Sequence, residues 1–354
     1  MNMLAAAGWA ARQFTRASFE LSPLGAGLIN ETYRVSVESG EPFVLQRLNP
    51  RVFPHPPAIL ANYRHLLDHL SNRPEPSHLR IPGLISTRSG ADFLCDEAGY
   101  FWRAQEYLSN TRTLTHITSP QQAQAVGAAL GYFHALFADL PPDGLEDTLP
   151  GFHITSGYLE HYDQVLASTT TIRADSALKQ AMAEVEAGRL RASTLEEASQ
   201  RGELPMRVTH GDPKLDNMLF DRCEDRVISL IDLDTVKAGL PHYDLGDCLR
   251  SCCGRKNPAE PAFDLSVGVP LLRAYHAASQ DYTSSLERQY WYTAIWLIPY
   301  ELGLRFLTDH LNGDAYFKVE QPGQNLRRAL EQFRIALEVE RQHTALSQVL
   351  SELE

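Results

Sequence analysis

The sequence predicts an α+β chain of two lobes: a small, mostly β N-terminal lobe over residues 1–107 and a larger, mostly helical C-terminal lobe over 108–354. Three observations predict it. The 354 residues exceed what one ordinary core organises. Short β-type runs gather before residue 107, and helical periodicity dominates after residue 110. Hydrophobic residues make up 44% and charged residues 21%, which excludes general disorder, collagen-like chains and disulfide-stapled miniproteins.

Phe19–Leu24, Thr32–Val37 and Phe43–Leu48 are short β-branched, aromatic or alternating runs punctuated by Gly, Ser and Pro, as strands require. Pro56–Leu70 places Ile59, Tyr63, Leu66, Leu67 and Leu70 near helical spacing. Leu84–Thr87, Ala91–Cys95 and Tyr100–Tyr107 resume the strand signal. Pro120–Leu140 then reads as an amphipathic helix with Ala125, Ala128, Ala129, Tyr132, Phe133 and Leu136 on its stripe, and Pro141-Pro142-Asp143-Gly144 stops it. Ala174–Gln200 has helical composition, and so do most segments from Tyr243 onward. One exception interrupts them. In Arg207–Asp234 a loop leads into strands at Met218–Phe220 and Val227–Ile231. This succession of lobes suggests a kinase-like enzyme.

Thirty-two basic and 44 acidic residues give a net charge of −12. Nucleic acids and anionic membranes need clustered Lys and Arg, so neither is expected as a partner. The five cysteines are odd in number and lack a Cys-x-x-Cys pair, which fits a reduced setting. Cys248 and Cys252 share a helix face by spacing; buried thiols are preferred to a metal pair. The N-terminus has no basic region ahead of its apolar stretch, and Tyr290–Tyr300 is far short of a membrane span. The expectation is a soluble, cytoplasmic protein.

The strongest chemical signal is His210-Gly211-Asp212-Pro213-Lys214-Leu215-Asp216-Asn217, followed one hairpin later by Ile231-Asp232-Leu233-Asp234. Phosphoryl transfer from ATP needs a carboxylate beside the acceptor hydroxyl, hard oxygen ligands for Mg²⁺ and charge against the phosphates. Asp at the third position, Asn five later and Asp after the hairpin supply the first two in kinase order.

These residues resemble the aminoglycoside phosphotransferase and choline kinase superfamily, which has a protein-kinase-like fold. Further segments are similar to bacterial N-acetylhexosamine 1-kinases: Gly27–Tyr33, Phe43–Asn49, Leu149–Thr155, Val227–Asp247, Glu301–Asp309 and Gly313–Lys318. The resemblance implies Asp212 as the catalytic carboxylate, and Asn217 and Asp232 as Mg²⁺ ligands. Asp234 either joins a second Mg²⁺ or holds the hairpin, and His210 braces the loop. ATP as co-substrate belongs to the small lobe, near Gly25, Gly27, Asn30 and Thr32, with the backbone of Glu106 and Leu108 as the adenine hinge. Where a protein kinase has its phosphate-pairing Lys, the strand reads Gln46-Arg47. Alternation lets only one of them face ATP; Gln46 is favoured by alignment and Arg47 by charge. No Glu lies between Glu41 and Glu75, so the usual Lys–Glu ion pair is absent or remodelled.

Acceptor candidates are Arg305, Tyr316, His153, Tyr243 and Arg250. Arg305 either meets substrate or pairs with Glu301 one turn earlier, while Trp291 and Trp296 read as core. The expected activity is transfer of the ATP γ-phosphoryl to the anomeric hydroxyl of an N-acetylhexosamine. The alternatives are a kinase for an aminoglycoside, homoserine, choline or methylthioribose, and a pseudokinase that binds nucleotide without turnover.

Overall fold

The computed structural model describes residues 3–25, 29–71, 73, 79–168, 175–255, 257 and 259–353. Gly27, expected at the nucleotide, lies outside the described residues. A helix absent from the sequence-based expectation comes first: α1 (Met3–Phe14), with Ala6, Ala7, Ala10, Ala11 and Phe14 buried. The N-terminal strands are β1 (Phe19–Pro23), β2 (Glu31–Val37) and β3 (Phe43–Arg47); α2 (Pro56–Ser71) follows. Then come β4 (Leu84–Ile85), β5 (Phe93–Cys95) and β6 (Phe101–Glu106). The sheet runs β1-β2-β3-β6-β4, with β5 also on β6, and all its pairings are antiparallel.

Alternation gives this sheet two different faces. Tyr33, Val35, Phe43, Leu45, Trp102 and Ala104 form a buried apolar cluster with α1. The alternate positions Thr32, Gln46 and Arg103 stand in one cross-strand row and are polar. That polar row is the wall offered to the second lobe.

The second lobe begins with β7 (Thr111–Arg112) and α3 (Pro120–Leu136), and continues through α4 (Thr155–Ser168), α5 (Ser176–Gly188) and α6 (Thr194–Gln200). The helical region expected over Ala174–Gln200 is therefore broken, with a 3₁₀ turn at Arg189–Arg191 between α5 and α6. The buried stripe of α3 agrees with the expected one at Ala129, Phe133 and Leu136 but differs elsewhere. Val126, Gly127, Leu130, Gly131 and His134 are buried with them, while Tyr132 is exposed. The cause is the close passage of α8 (Leu265–Ser279), which glycines permit: a Cβ on Gly127 would lie 2.1 Å from the Leu271 carbonyl oxygen.

Between α6 and α8 come β8 (Arg207–Thr209), β9 (Met218–Asp221), β10 (Val227–Leu230), β11 (Lys237–Gly239) and α7 (Pro241–Cys253). The hairpin β9–β10 is as expected, and β8 pairs with β11 beside it. Cys248, Cys252 and Cys253 are buried free thiols on α7. The chain closes with α9 (Ser285–Gln289), α10 (Trp291–Leu311), α11 (Gln324–Arg341) and α12 (His343–Ser351). Trp291 and Trp296 are core, as expected. No helix among the described residues is long and apolar enough to cross a membrane.

Candidate active site

The loop between β8 and β9 carries His210 to Asn217. Its shape is imposed by buried Asp244 on α7, which accepts the backbone N–H of His210 at 2.7 Å and of Gly211 at 2.8 Å. Asp244 also meets His134 Nε2 at 2.8 Å. Burial alone would raise the Asp244 carboxyl pKa, but the bond and charge of His134 leave it net below its ordinary value. His210 Nδ1 accepts the Asp212 N–H at 3.3 Å, so Nε2 donates to the Ile231 carbonyl at 3.1 Å. Burial holds this imidazole below its usual pKa. His210 thus joins the loop to the end of β10, the bracing role expected of it.

Gly211 is left-handed at φ +85°, and a Cβ there would lie 2.7 Å from the Thr235 carbonyl oxygen. The loop and the turn after β10 therefore touch backbone to backbone, which only glycine allows. Thr235 Oγ1 adds a bond to the His210 carbonyl at 2.8 Å, and the Ile231 N–H donates to the Asn217 carbonyl at 2.9 Å.

These contacts bring the four acidic and amide candidates together. Asn217 Nδ2 donates to the Asp212 carbonyl at 2.8 Å and to Asp212 Oδ2 at 3.2 Å. Lys214, which the sequence reading passed over, forms an ion pair with Asp212. Burial would lower the Lys214 pKa, yet the Asp212 carboxylate raises it overall, so it is charged. Its signal was a lone cation two residues after the Asp. Asp232 adopts φ +66° at the start of a 3₁₀ turn, Leu233–Thr235. Burial, then the charges of Asp234 and Asp212, push its pKa up to about 7.

That crowding of negative charge is an observation a cation would answer. Asn217, Asp232 and Asp234 offer hard oxygens. Among the described residues no three His, Cys, Asp or Glu side chains stand close enough to hold a metal by themselves. Mg²⁺ ordinarily takes one or two carboxylates and completes its shell with phosphate and water, so the donor set fits an ion shared with a nucleotide.

From the small lobe, Asn30 Nδ2 donates to Asp234 Oδ2 at 2.7 Å and Asn30 Oδ1 accepts the Asn49 N–H at 3.0 Å. Gln46, not Arg47, faces the cleft. Gln46 Nε2 reaches Thr32 Oγ1 at 3.2 Å, while Arg47 pairs with Glu31 at 2.9 Å and covers the Tyr100 ring on the opposite face. Gly25 is left-handed at φ +73°, with open space where a Cβ would stand. At the expected hinge, Glu106 pairs with Arg80 through its side chain, and its N–H bonds the Gly83 carbonyl at 2.8 Å. Leu108 is buried.

On the other side, His153 is left-handed at φ +63° and stacks on buried Tyr243 at 5.2 Å. Its Nδ1 meets Glu301 at 2.9 Å and its Nε2 meets the Gly211 carbonyl at 3.1 Å. Both partners are acceptors, so both nitrogens donate. Burial would lower this pKa, but Glu301 and the carbonyl raise it overall. Arg305 does not pair with Glu301, whose other oxygen takes Thr155 Oγ1 at 2.7 Å. Its guanidinium instead lies 5.1 Å from the Phe152 ring centroid, 5.0 Å from Tyr158 and 5.6 Å from Phe317. Tyr316 is exposed, with its N–H fixed by Asp309 Oδ1 at 2.8 Å. Asp247, another residue the sequence reading did not single out, bonds Arg250 Nε at 2.8 Å through Oδ1. Its Oδ2 is buried with no hydrogen-bond partner among the described residues.

Residues 20–285 match the family model described as "Phosphotransferase enzyme family". The chain belongs to the phosphotransferase enzyme family. Solved structures share its fold at low identity. An aminoglycoside phosphotransferase from Alicyclobacillus acidocaldarius is 14% identical, with TM-score 0.68 over 98% of this chain and 96% of that one. A microcompartment-associated aminopropanol kinase is 15% identical, with TM-score 0.64 over 97% and 98%. An amicoumacin kinase, in complex with AMP-PNP, Ca²⁺ and Ami, is 13% identical, with TM-score 0.59 over 96% and 94%. The chain is thus a member of the phosphotransferase enzyme family with a kinase-like fold.

Proposed function

We propose that this phosphotransferase moves the γ-phosphoryl group of ATP to the anomeric hydroxyl of an N-acetylhexosamine. One observation carries the acceptor reading. Leu149–Thr155 and Glu301–Lys318, the segments similar to N-acetylhexosamine 1-kinases, are distant in sequence yet meet each other: His153 bonds Glu301, and Arg305 lies over Phe152 and Phe317. Through the Gly211 carbonyl the same His153 reaches the Asp212 loop. The charges here also discriminate between acceptors. Asp212 pairs with Lys214, Asp247 with Arg250 and Glu301 with His153, while Arg305 has no ion-pair partner of its own among the described residues, its charge acting on Glu301. A neutral, hydroxyl-rich acceptor suits that surface better than choline or a polycationic aminoglycoside.

Asp212 orients the acceptor hydroxyl and takes its proton. Lys214, ion-paired with that carboxylate, neutralises charge on the phosphoryl group in transit. Asn217 and Asp232 would hold Mg²⁺, which supplies charge neutralisation along the phosphates when bound, with Asp234 beside them tied to Asn30 and Arg103. Gly25, Thr32, Gln46 and the Glu106–Leu108 backbone would bound the nucleotide. Arg305, Tyr316 and the free Asp247 oxygen would hydrogen-bond the sugar, with His153 and Tyr243 shaping the pocket from beneath.

The test is an ATP-consumption panel of N-acetylglucosamine and N-acetylgalactosamine beside choline, homoserine, methylthioribose and kanamycin, with a reducing-end assay on the product. Sugar turnover with loss of the reducing end is expected. Turnover of one of the other four, with none on either sugar, would overturn the acceptor reading. Arg305→Ala should lower kcat/KM for the sugar by roughly 10- to 100-fold, as loss of a charged hydrogen bond implies, with the ATP KM unchanged.

A further inference from the structure

Two anchors of a kinase small lobe are missing from this chain. Gln46 stands on β3 in place of a Lys, and α2 has no Glu along its length. Beneath that row α2 offers Tyr63 instead, whose hydroxyl is committed to the Pro82 carbonyl at 2.8 Å. Nucleotide phosphates still require a cation on this wall.

The neighbouring strand has one. Arg103 on β6 is the cross-strand partner of Gln46, so both side chains leave the same face of the sheet. Arg103 is only 1% exposed. Its Nε and Nη2 donate to Gln46 Oε1 at 3.0 and 2.8 Å, and Nη2 also forms an ion pair with Asp234 of the metal-ligand turn. The guanidinium lies 5.9 Å from the Tyr63 ring centroid, and its charge acts on Asp232 as well. Nη1, however, has no hydrogen-bond partner among the described residues, although it is buried. A buried guanidinium nitrogen without an acceptor is rare, because a desolvated, unpaired donor is costly. A structural bolt between lobes would be expected to satisfy it.

We propose that Arg103 is the phosphate-binding cation of the small lobe, moved from β3 to β6, with Gln46 fixing its plane and Asp234 balancing its charge. Nη1 is the donor that meets a phosphate oxygen of the nucleotide. Gln46 is neutral because a second cation beside Arg103 would repel it. The inference rests on the reading of a nucleotide as phosphoryl donor, and the test separates the two.

Calorimetric titration of the wild type and Arg103→Gln with MgADP and with adenosine provides it. The variant should bind adenosine within roughly threefold of wild type, yet bind MgADP roughly 10- to 100-fold more weakly, the size of one charged hydrogen bond. Equal losses for both ligands, or no loss for MgADP, would overturn the assignment of Arg103 alone. Absence of MgADP binding by the wild type would instead overturn the nucleotide reading. Should Arg103→Gln fail to fold, a wild-type co-crystal with AMP-PNP and Mg²⁺ decides the matter. Nη1 within hydrogen-bonding distance of a phosphate oxygen supports the proposal, and Arg103 contacting Asp234 and Gln46 alone refutes it.

Discussion

Asp212 owes its position to backbone contacts made by its neighbours, so its carboxylate can be neutralised without moving the loop. Asp212→Asn should therefore lower kcat by about 10²- to 10⁴-fold, the usual contribution of a positioned base, while MgADP affinity stays near wild type in the same calorimetric assay. His153 offers a separate residue-level test. Its raised pKa means that the imidazolium supports the fold fully below about pH 6.5, its unfolded value. That support fades as the pH rises through the higher folded value. Glu301 has the opposite shift, lowered by His153 against the effect of burial, so its contribution persists until the pH drops through that depressed value. Melting curves recorded from about pH 5 to 9 should show an alkaline decline, and His153→Gln should flatten it. An unchanged slope would remove the imidazolium assignment. At this scale the sequence singled out Asp212, Asn217 and Asp232 as candidates, because their spacing is tied to chemistry, and the fold brings them together. It concealed Arg103 and Asp247, because a lone charge on a strand or helix looks the same whether it is solvated or buried.

Among the elements, α3 and α8 have the closest backbone approach. Gly127→Ala should destabilise the fold by about 1–3 kcal/mol or more, since a methyl group at 2.1 Å from a carbonyl oxygen must push two helices apart. Urea titration measures it, and a change under roughly 0.5 kcal/mol, the surface norm, would mean that the crossing is looser than described. The same crossing explains a misreading. Periodicity finds Ala129, Phe133 and Leu136 on the buried stripe, but it also puts Tyr132 there and misses Gly127 and Gly131, because glycine carries no hydrophobic signal, yet the helix turns its glycines inward. The strands of the first sheet were legible because alternation and turn residues agree there. α1 was not, since an alanine-rich N-terminus has composition but no contrast. β8 and β11 are three residues each, too short to show a period; tertiary pairing alone creates them.

Across the whole molecule the two lobes are joined by apolar packing, with Tyr63 and Leu66 of α2 in one buried cluster with Phe133 and Leu230, and by specific polar links. Asn62 on α2 is the clearest. Its Nδ2 donates to the Glu146 carbonyl at 2.8 Å and the Val236 carbonyl at 2.9 Å, and its Oδ1 accepts the Glu146 N–H at 2.8 Å. Asn62→Ala should cost about 1–3 kcal/mol, because it takes the partner from the buried Val236 carbonyl and from the part-buried carbonyl and N–H of Glu146. The loss should appear in urea titration and be recovered in part by MgADP, for which the proposed site spans both lobes. No recovery would argue that Asn62 serves one lobe only. The bilobal order was readable from composition, whereas no residue pattern announces which side chains cross between lobes. Asp244 has a different consequence. It moors the His210–Asn217 loop to α3 and α7, while Glu301 moors the proposed acceptor segments through His153 at another point of the same loop. Inheritance can act on the two moorings separately. A lineage is free to rewrite α10 and trade one alcohol for another without first surrendering the ability to move a phosphate.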